Sequence, residues 1–259
     1  MASAFFARTE DDLMKRLFVN FSPRLTFALR NPRYTVASLV REMFATDEKF
    51  LARVSGATVS DLRKYLDEPC QDAAFHALLQ QSEHVFSEAK ITSADFYAKK
   101  VLLQYALVRA IKPTMILETG VASGVSTAYL LLALKKNNHG TLQSIELGDT
   151  AYLPPGREPG WIVPDWLRDR WTMHIGDSRA LLQPIAQKLA PLDIFIHDSL
   201  HVYDHMMFEF TEAFPFLRPG GILISDDALW NAAFNEFSAR VHAPESRIIR
   251  GVGVMRKGV

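Results

Sequence analysis

Cysteine is almost missing from this chain. Cys70 is the single one in 259 residues, so no internal disulfide can form, and a reducing compartment is the expected setting. An excess of charge is missing as well. The 29 Lys and Arg are matched by 29 Asp and Glu, so no net field draws the chain to nucleic acid or an anionic lipid surface. Long apolar runs are absent, and stretches such as 128–134 are far too short to span a bilayer. Residues 1–8 lack an apolar leader with a cleavage site, and acidic residues follow at once. Neither an internal repeat nor a low-complexity run is present. What remains is a balanced composition, 48% hydrophobic and 22% charged, which excludes a disordered or fibrous protein. The expectation is a cytoplasmic protein without nucleic-acid or membrane partners.

The pattern changes at Pro113. Residues 1–112 read as helical. Val36, Leu39, Val40 and Phe44 fall at helical spacing in 35–45, and Thr46, Asp47 and Glu48 open a helix that Gly56 stops. A short helix over 58–66 is closed by Pro69. Ser93 caps an amphipathic segment through Tyr97, Val101, Leu102 and Tyr105 that ends before Pro113. Residues 113–259 instead alternate, with strands at 115–117, 142–147, 171–175, 194–196 and 222–224. Helices at 126–136, 178–189, 202–217 and 232–241 separate or follow them, Arg218-Pro-Gly-Gly221 reads as a turn, and strands at 247–250 and 252–256 finish the chain. Short strands apolar on both faces mean a mostly parallel sheet covered by helices, whose ligands bind beyond the strands' carboxyl ends. One connection breaks the rhythm. Residues 152–171 hold Pro154, Pro155, Pro159 and Pro164 with Trp161, Trp166 and Trp171, and read as a lid or as an aromatic-anchored surface loop.

The residues just after the strands carry the chemistry. The first strand runs into Glu118-Thr-Gly-Val-Ala-Ser-Gly-Val-Ser126 and then a helix. Gly120 permits a sharp turn and Gly124 a close backbone approach. Dinucleotide sites place glycines at closer spacing to seat a pyrophosphate on the helix N-terminus. Here Ala122 and Val125 stand in the way, so the wider pair suits a ligand without phosphate. Glu146 ends the second strand, where a carboxylate can accept from a ribose diol. Asp177 either accepts from an adenine amino group or caps the helix beginning near Ser178. Asp198, Asp226 and Asp227 gather at one sheet edge, an all-oxygen set suited to Mg²⁺ or a similar hard cation. Its alternative is solvated loop-capping carboxylates. His201 is the general-base candidate, with His197 and His205 flanking it. Trp230 and Asn231 either wall an acceptor pocket or simply pack the last helix, and Met206, Met207, Phe208 and Phe210 read as a core-facing stripe.

These segments together resemble successive motifs of class I S-adenosylmethionine-dependent methyltransferases: 118–126, Glu146, Gly176-Asp177, the His197–Tyr203 stretch and Arg218-Pro-Gly-Gly221. Within that class they are similar to bacterial small-molecule O-methyltransferases of the macrocin and mycinamicin type, which share an Asp-x-x-His-x-Tyr segment with the cephalosporin-hydroxylase group. Here that segment is Asp198, His201 and Tyr203. The resemblance implies an α/β, Rossmann-like methyltransferase sheet, mostly parallel with an antiparallel C-terminal strand, over 113–259. It leaves 1–112 as a helical cap, lid or dimerisation region. It implies S-adenosylmethionine as cofactor, held by Glu118, Gly120, Ser123, Gly124, Ser126, Glu146, Asp177, Ser178 and Asp198, and a small-molecule hydroxyl as acceptor. His201 and Asp198 would be catalytic. Catechol-type O-methyltransferases carry Asp and Asp-Asn at similar strand ends, which implies a divalent cation on Asp198, Asp226 and Asp227. An oxygen-dependent hydroxylase on a related scaffold and a non-catalytic S-adenosylmethionine-binding protein are the alternatives, and a homodimer is compatible with the pattern.

Overall fold

The computed structural model describes residues 47–88, 99–149, 151 and 153–259. The helix expected over 35–45, the Ser93 cap and Tyr97 lie outside those residues. Four helices come first: α1 (Asp47–Ser55), α2 (Val59–Gln71), α3 (Ala73–Glu88) and α4 (Lys99–Ile111). Thr58 caps α2, accepting from the Asp61 amide at 3.1 Å. Pro69 was expected to close this helix but lies inside its last turn, where α2 continues to Gln71. Helix α3 fills a stretch to which the sequence pattern assigns no element.

From there strand and helix alternate: β1 (Met115–Thr119), α5 (Val125–Asn137), β2 (Thr141–Glu146), β3 (Trp171–Ile175), α6 (Ser178–Leu189), β4 (Leu192–His197), α7 (Tyr203–Ala213), β5 (Leu217–Ser225), α8 (Ala233–Arg240), β6 (Glu245–Ile249) and β7 (Val252–Arg256). The seven strands form one sheet in the order β3-β2-β1-β4-β5-β7-β6. The pairs from β3 to β5 are parallel, and β7 runs antiparallel to both β5 and β6. This is the Rossmann-like sheet with its reversed C-terminal strand that the resemblance implied. Two boundaries differ. The helix expected to reach 217 ends at Ala213, because Pro215 supplies no N–H and the chain tightens into a 3-10 turn over Phe214–Phe216. Arg218-Pro-Gly-Gly221, read as a turn, lies within β5. The register passes from Leu192↔Leu217 to Ile194↔Ile222, so these residues bulge out of the ladder without ending the strand.

Alternation along the central strands sends neighbouring side chains to opposite faces. Ile116, Ile194, Ile196, Ile222 and Ile224 join a core that includes Phe50, Leu62 and Phe75 of α1–α3. Leu117, Phe195 and Leu223 face Leu182, Phe210 and Phe237 of α6–α8. The early helices therefore share the sheet's own core. A buried-to-half-buried knot reinforces that union. Glu68 on α2 accepts from Arg109 Nε at 2.6 Å and from Tyr105 Oη at 2.7 Å, both on α4, and Arg109 also donates to Asn137 at the end of α5. Among the described residues no helix is long and apolar enough to cross a membrane.

Candidate active site

Strand order reverses between β1 and β4, and the loops beyond their carboxyl ends open there. Gly120 leaves β1 at φ +85°, and a Cβ on it would lie 2.1 Å from the Asp198 carbonyl oxygen. No other residue could pass so close. Gly124 stands at φ +88° just before α5, where a Cβ would meet Gly160 Cα at 2.9 Å. Glu146 points into this loop. Its Oε2 accepts from the Val121 and Ala122 amides at 2.7 and 2.8 Å, and its Oε1 from the Gly148 amide at 3.1 Å. Ala122 takes φ +46°, a left-handed conformation that costs a non-glycine residue energy and that this pair of amide contacts helps hold.

The tryptophan-rich connection lies over the same loop. Gly160 donates to the Ala122 carbonyl at 2.8 Å and Ile162 to the Ser123 carbonyl at 3.1 Å. Arg168 clamps the connection through the Val163 and Gly160 carbonyls, and Trp171 Nε1 donates to Ser144 Oγ at 2.9 Å. Leu153, Ile162 and Val163 are buried. The segment is thus an anchored buttress of the glycine loop, the aromatic-anchored alternative of the two sequence readings.

Across the switch, β4 ends at His197 and β5 at Ser225, which brings Asp198 and Asp226-Asp227 together. Asp198 Oδ2 lies 3.4 Å from Ser126 Oγ, and its Oδ1 lies 3.6 Å from His201 Nε2, ion-pair range but beyond a hydrogen bond. His201 Nδ1 is 3.9 Å from Asp227, and Trp230 covers the imidazole at 5.7 Å between ring centroids. Asn231 holds the same loop, donating to the His201 carbonyl while its Oδ1 accepts from the Ala233 amide. A cation missed by the sequence reading enters from α4. Lys100 Nζ donates to Asp226 Oδ2 at 2.6 Å and stands 3.9 Å from Asp227. The charges tune one another. Burial and the Asp226 charge push Asp198 well above the usual carboxylate range. For His201, burial works downward, but Asp198, Asp227 and Asp226 outweigh it and raise the imidazole. Burial likewise opposes the Lys100 ammonium, and the charge of Asp226 wins.

Under this edge sits a second charge. Glu209 on α7 is fully buried and accepts from His197 Nδ1 at 2.6 Å, His205 Nε2 at 2.9 Å, Ser199 Oγ at 2.9 Å and Thr119 Oγ1 at 2.5 Å. Burial penalises its charge, yet the two histidines hold the carboxyl far below its ordinary range. His197 and His205 are committed to this tie, which leaves His201 as the imidazole facing the carboxylates. Spacing on α7 gives the signal for half of it, since His205 and Glu209 are four residues apart on one helix face.

The structure brings Gly120, Ser126, Asp198, His201, Asp226 and Asp227 to one edge and sets Glu146 under the glycine loop. Three of the expected cofactor residues make contacts within the protein. Glu118 is fully buried, taking hydrogen bonds from Ser144 Oγ at 2.7 Å and Thr127 Oγ1 at 3.1 Å, and burial pushes its carboxyl up to about 8. Asp177 caps α6, accepting from the Arg179 amide at 2.8 Å, and Ser178 lies 3.3 Å from His205 Nε2.

Residues 117–228 match the family described as "Methyltransferase domain". The chain is 32% identical over 81 residues to mycinamicin VI 2''-O-methyltransferase of Micromonospora griseorubida, covering 31% of this chain and 20% of that protein. It is 36% identical over 70 residues to demethylmacrocin O-methyltransferase of Streptomyces fradiae, covering 26% and 18%. The chain therefore matches about a fifth of the length of these curated relatives. In fold it is similar to an O-methyltransferase from Bacillus cereus solved with SAH, with TM-score 0.52 and 18% identity over 70% of this chain and 91% of that one.

Proposed function

With residues 117–228 forming a domain of the methyltransferase family, we propose that this chain transfers a methyl group from S-adenosylmethionine to a hydroxyl of a small-molecule acceptor. The observation that carries the reading is the convergence at the β1/β4 switch. Gly120 closes onto the Asp198 backbone, Glu146 braces the glycine loop, and Asp198 meets Ser126 and His201. The named relatives are O-methyltransferases, which favours an oxygen acceptor over a hydroxylase or a purely binding role. The Bacillus cereus structure holds SAH, the product form of the cofactor.

An ionised carboxylate offers about four acceptor positions. Amides of Val121, Ala122 and Gly148 use three on Glu146, so one ribose hydroxyl, accepted at Oε1, is the contact this geometry leaves. Asp177 caps α6 with one oxygen and keeps the other for the adenine amino group. Exposed Leu147 and Ile175, at the ends of β2 and β3, offer apolar surface beside them for the adenine ring. In the reaction the acceptor oxygen attacks the methyl carbon in line with the breaking carbon–sulfur bond, so positioning dominates. His201 takes the hydroxyl proton at a ring nitrogen, with Trp230 packed against that imidazole and Asn231 holding the His201 backbone carbonyl. The edge also suits a divalent cation. Ligating atoms of Asp198, His201 and Asp226 lie within 4.8 Å of one another, and Asp226 Oδ1 is buried with no hydrogen-bond partner. Asp198 and Asp226 would hold the ion, while Asp227, expected as a third ligand, lies outside this group of atoms and adds its charge beside it. The ion when bound lowers the pKa of an acceptor hydroxyl.

Within residues 1–112, we assign the described helices α1–α4 to a cap fixed beside the site, since α4 delivers Lys100 to it, and the single cysteine favours a cytoplasmic setting. Titration calorimetry with S-adenosylmethionine tests the reading. Binding in the micromolar to millimolar range is expected, and a flat thermogram with folded protein overturns it.

A further inference from the structure

Three carboxylates at one sheet edge repel one another unless a positive charge stands among them. Lys100 supplies that charge here, and it comes from a helix that precedes the sheet. We propose that Lys100 is a built-in counter-ion of the Asp198–Asp226–Asp227 cluster that competes with a divalent cation, so that cation binding displaces its ammonium from Asp226. The proposal rests on reading this edge as a cation site.

Asp226 is the pivot. Its carboxylate is buried and divided in use: Oδ2 accepts from Lys100 Nζ at 2.6 Å, while Oδ1 is buried without a hydrogen-bond partner. A carboxylate oxygen of Asp226 lies in the same small group of ligating atoms as Asp198 and His201. An ion bound to this carboxylate would share it with the ammonium at close range. At that separation, in a partly desolvated site, two like charges repel strongly, and only one of them can be held well.

The location of Lys100 supports a role beyond helix stability. It reaches Asp226 from 126 residues away in sequence, so the contact ties α4 to the sheet edge and not one turn of the helix to the next. The side chain is also built to leave. It is part-exposed at 37%, and its four-carbon stem lets the ammonium swing into water while the helix stays packed through Val101, Leu103 and Tyr105.

Mn²⁺ binding to the full chain, followed by electron paramagnetic resonance of the free ion, tests this in wild type, Lys100→Met and Lys100→Arg. Removing the charge should tighten binding by about tenfold or more, while the arginine variant stays within roughly threefold of wild type. Equal affinity in wild type and Lys100→Met overturns the competition and leaves the cation site standing. No Mn²⁺ binding by any of the three overturns both. Should Lys100→Met fail to fold, wild type alone decides. Acylation of lysines, read by mass spectrometry, should modify Lys100 about threefold faster with bound Mn²⁺ than without, relative to exposed Lys188. An unchanged ratio with Mn²⁺ bound refutes displacement.

Discussion

The two halves of the sheet edge satisfy their carboxylates by different means. On the β1–β2 side, Glu146 takes three backbone amides from within 25 residues of its own position. On the β4–β5 side, Asp226 takes a side-chain ammonium from 126 residues away. A backbone amide cannot leave, so the first half is set rigidly for one ligand. A lysine can leave, so the second half can exchange one cation for another. If that contrast is real, changes at the first half should damage binding and folding, and changes at the second should damage turnover.

The largest effect is expected where the halves touch. Gly120→Ala puts a methyl group 2.1 Å from the Asp198 carbonyl oxygen, and backbone cannot swing aside as a flexible side chain does. A loss of about 4 kcal/mol or more, or failure to fold, is expected. The control is Gly251→Ala, also at positive φ (+90°) but with nothing within 4 Å, for which the left-handed penalty alone predicts about 1–2 kcal/mol. Urea denaturation of both reads the difference. Similar losses would mean that the close approach to Asp198 does not constrain the fold.

How much was legible follows the same divide. The glycine loop, Glu146 and the alternation of strand and helix are local or periodic features, so sequence spacing gives them. Asp198, Asp226 and Asp227 follow from strand ends. Lys100 could not be found that way, because its only sequence signal is a basic residue in an ordinary helix and its partner depends on how α4 docks on the sheet. Glu118 misled for a related reason. Motif position places it at the loop, but alternation along β1 turns its side chain into the core, toward Ser144 and Thr127. The bulged 218–221 stretch was misread because proline and glycine mark turns in general, and here the ladder to β7 keeps the strand going past them.

Next in size are paired substitutions across the divide. Glu146→Gln presents an amide NH₂ to backbone donors, so an N–H is left facing an N–H. S-adenosylmethionine affinity should fall about 10–100-fold, in line with leaving a buried group unsatisfied. Asp226→Asn should change that affinity by less than about threefold while lowering kcat at least about tenfold, since it strips charge from the acceptor half. Calorimetry and initial rates separate the two. A matching loss of cofactor affinity in both variants would erase the distinction between the halves.

Glu118 gives a pH test of intermediate size. Its folded carboxyl is raised to about 8 by burial, so the folded state holds the proton more tightly than the unfolded chain. The stability this group contributes is full below the unfolded pKa near 4.5 and is lost as pH rises toward 8. Glu118→Gln keeps the shape and removes the titration. Wild type should therefore lose on the order of 3 kcal/mol relative to the variant between pH 5 and pH 8, read as the change in their Tm difference. A constant difference across that range would show that Glu118 is ionised at no unusual cost.

The smallest effect is expected at Tyr203, although it belongs to the Asp-x-x-His-x-Tyr segment. Its ring opens α7 and is part-exposed, and its hydroxyl donates to Glu236 on α8 at 2.5 Å, a contact that pushes the phenol up to about 12. The hydroxyl is therefore spent on joining two surface helices, and at neutral pH it keeps its proton, directed at Glu236. Tyr203→Phe should cost under about 1 kcal/mol in denaturant and leave kcat within roughly threefold, because a solvent-exposed hydrogen bond is largely replaced by water. A tenfold fall in kcat with unchanged stability would instead place Tyr203 among the groups that meet the acceptor, and would extend the adjustable half of the edge onto α7.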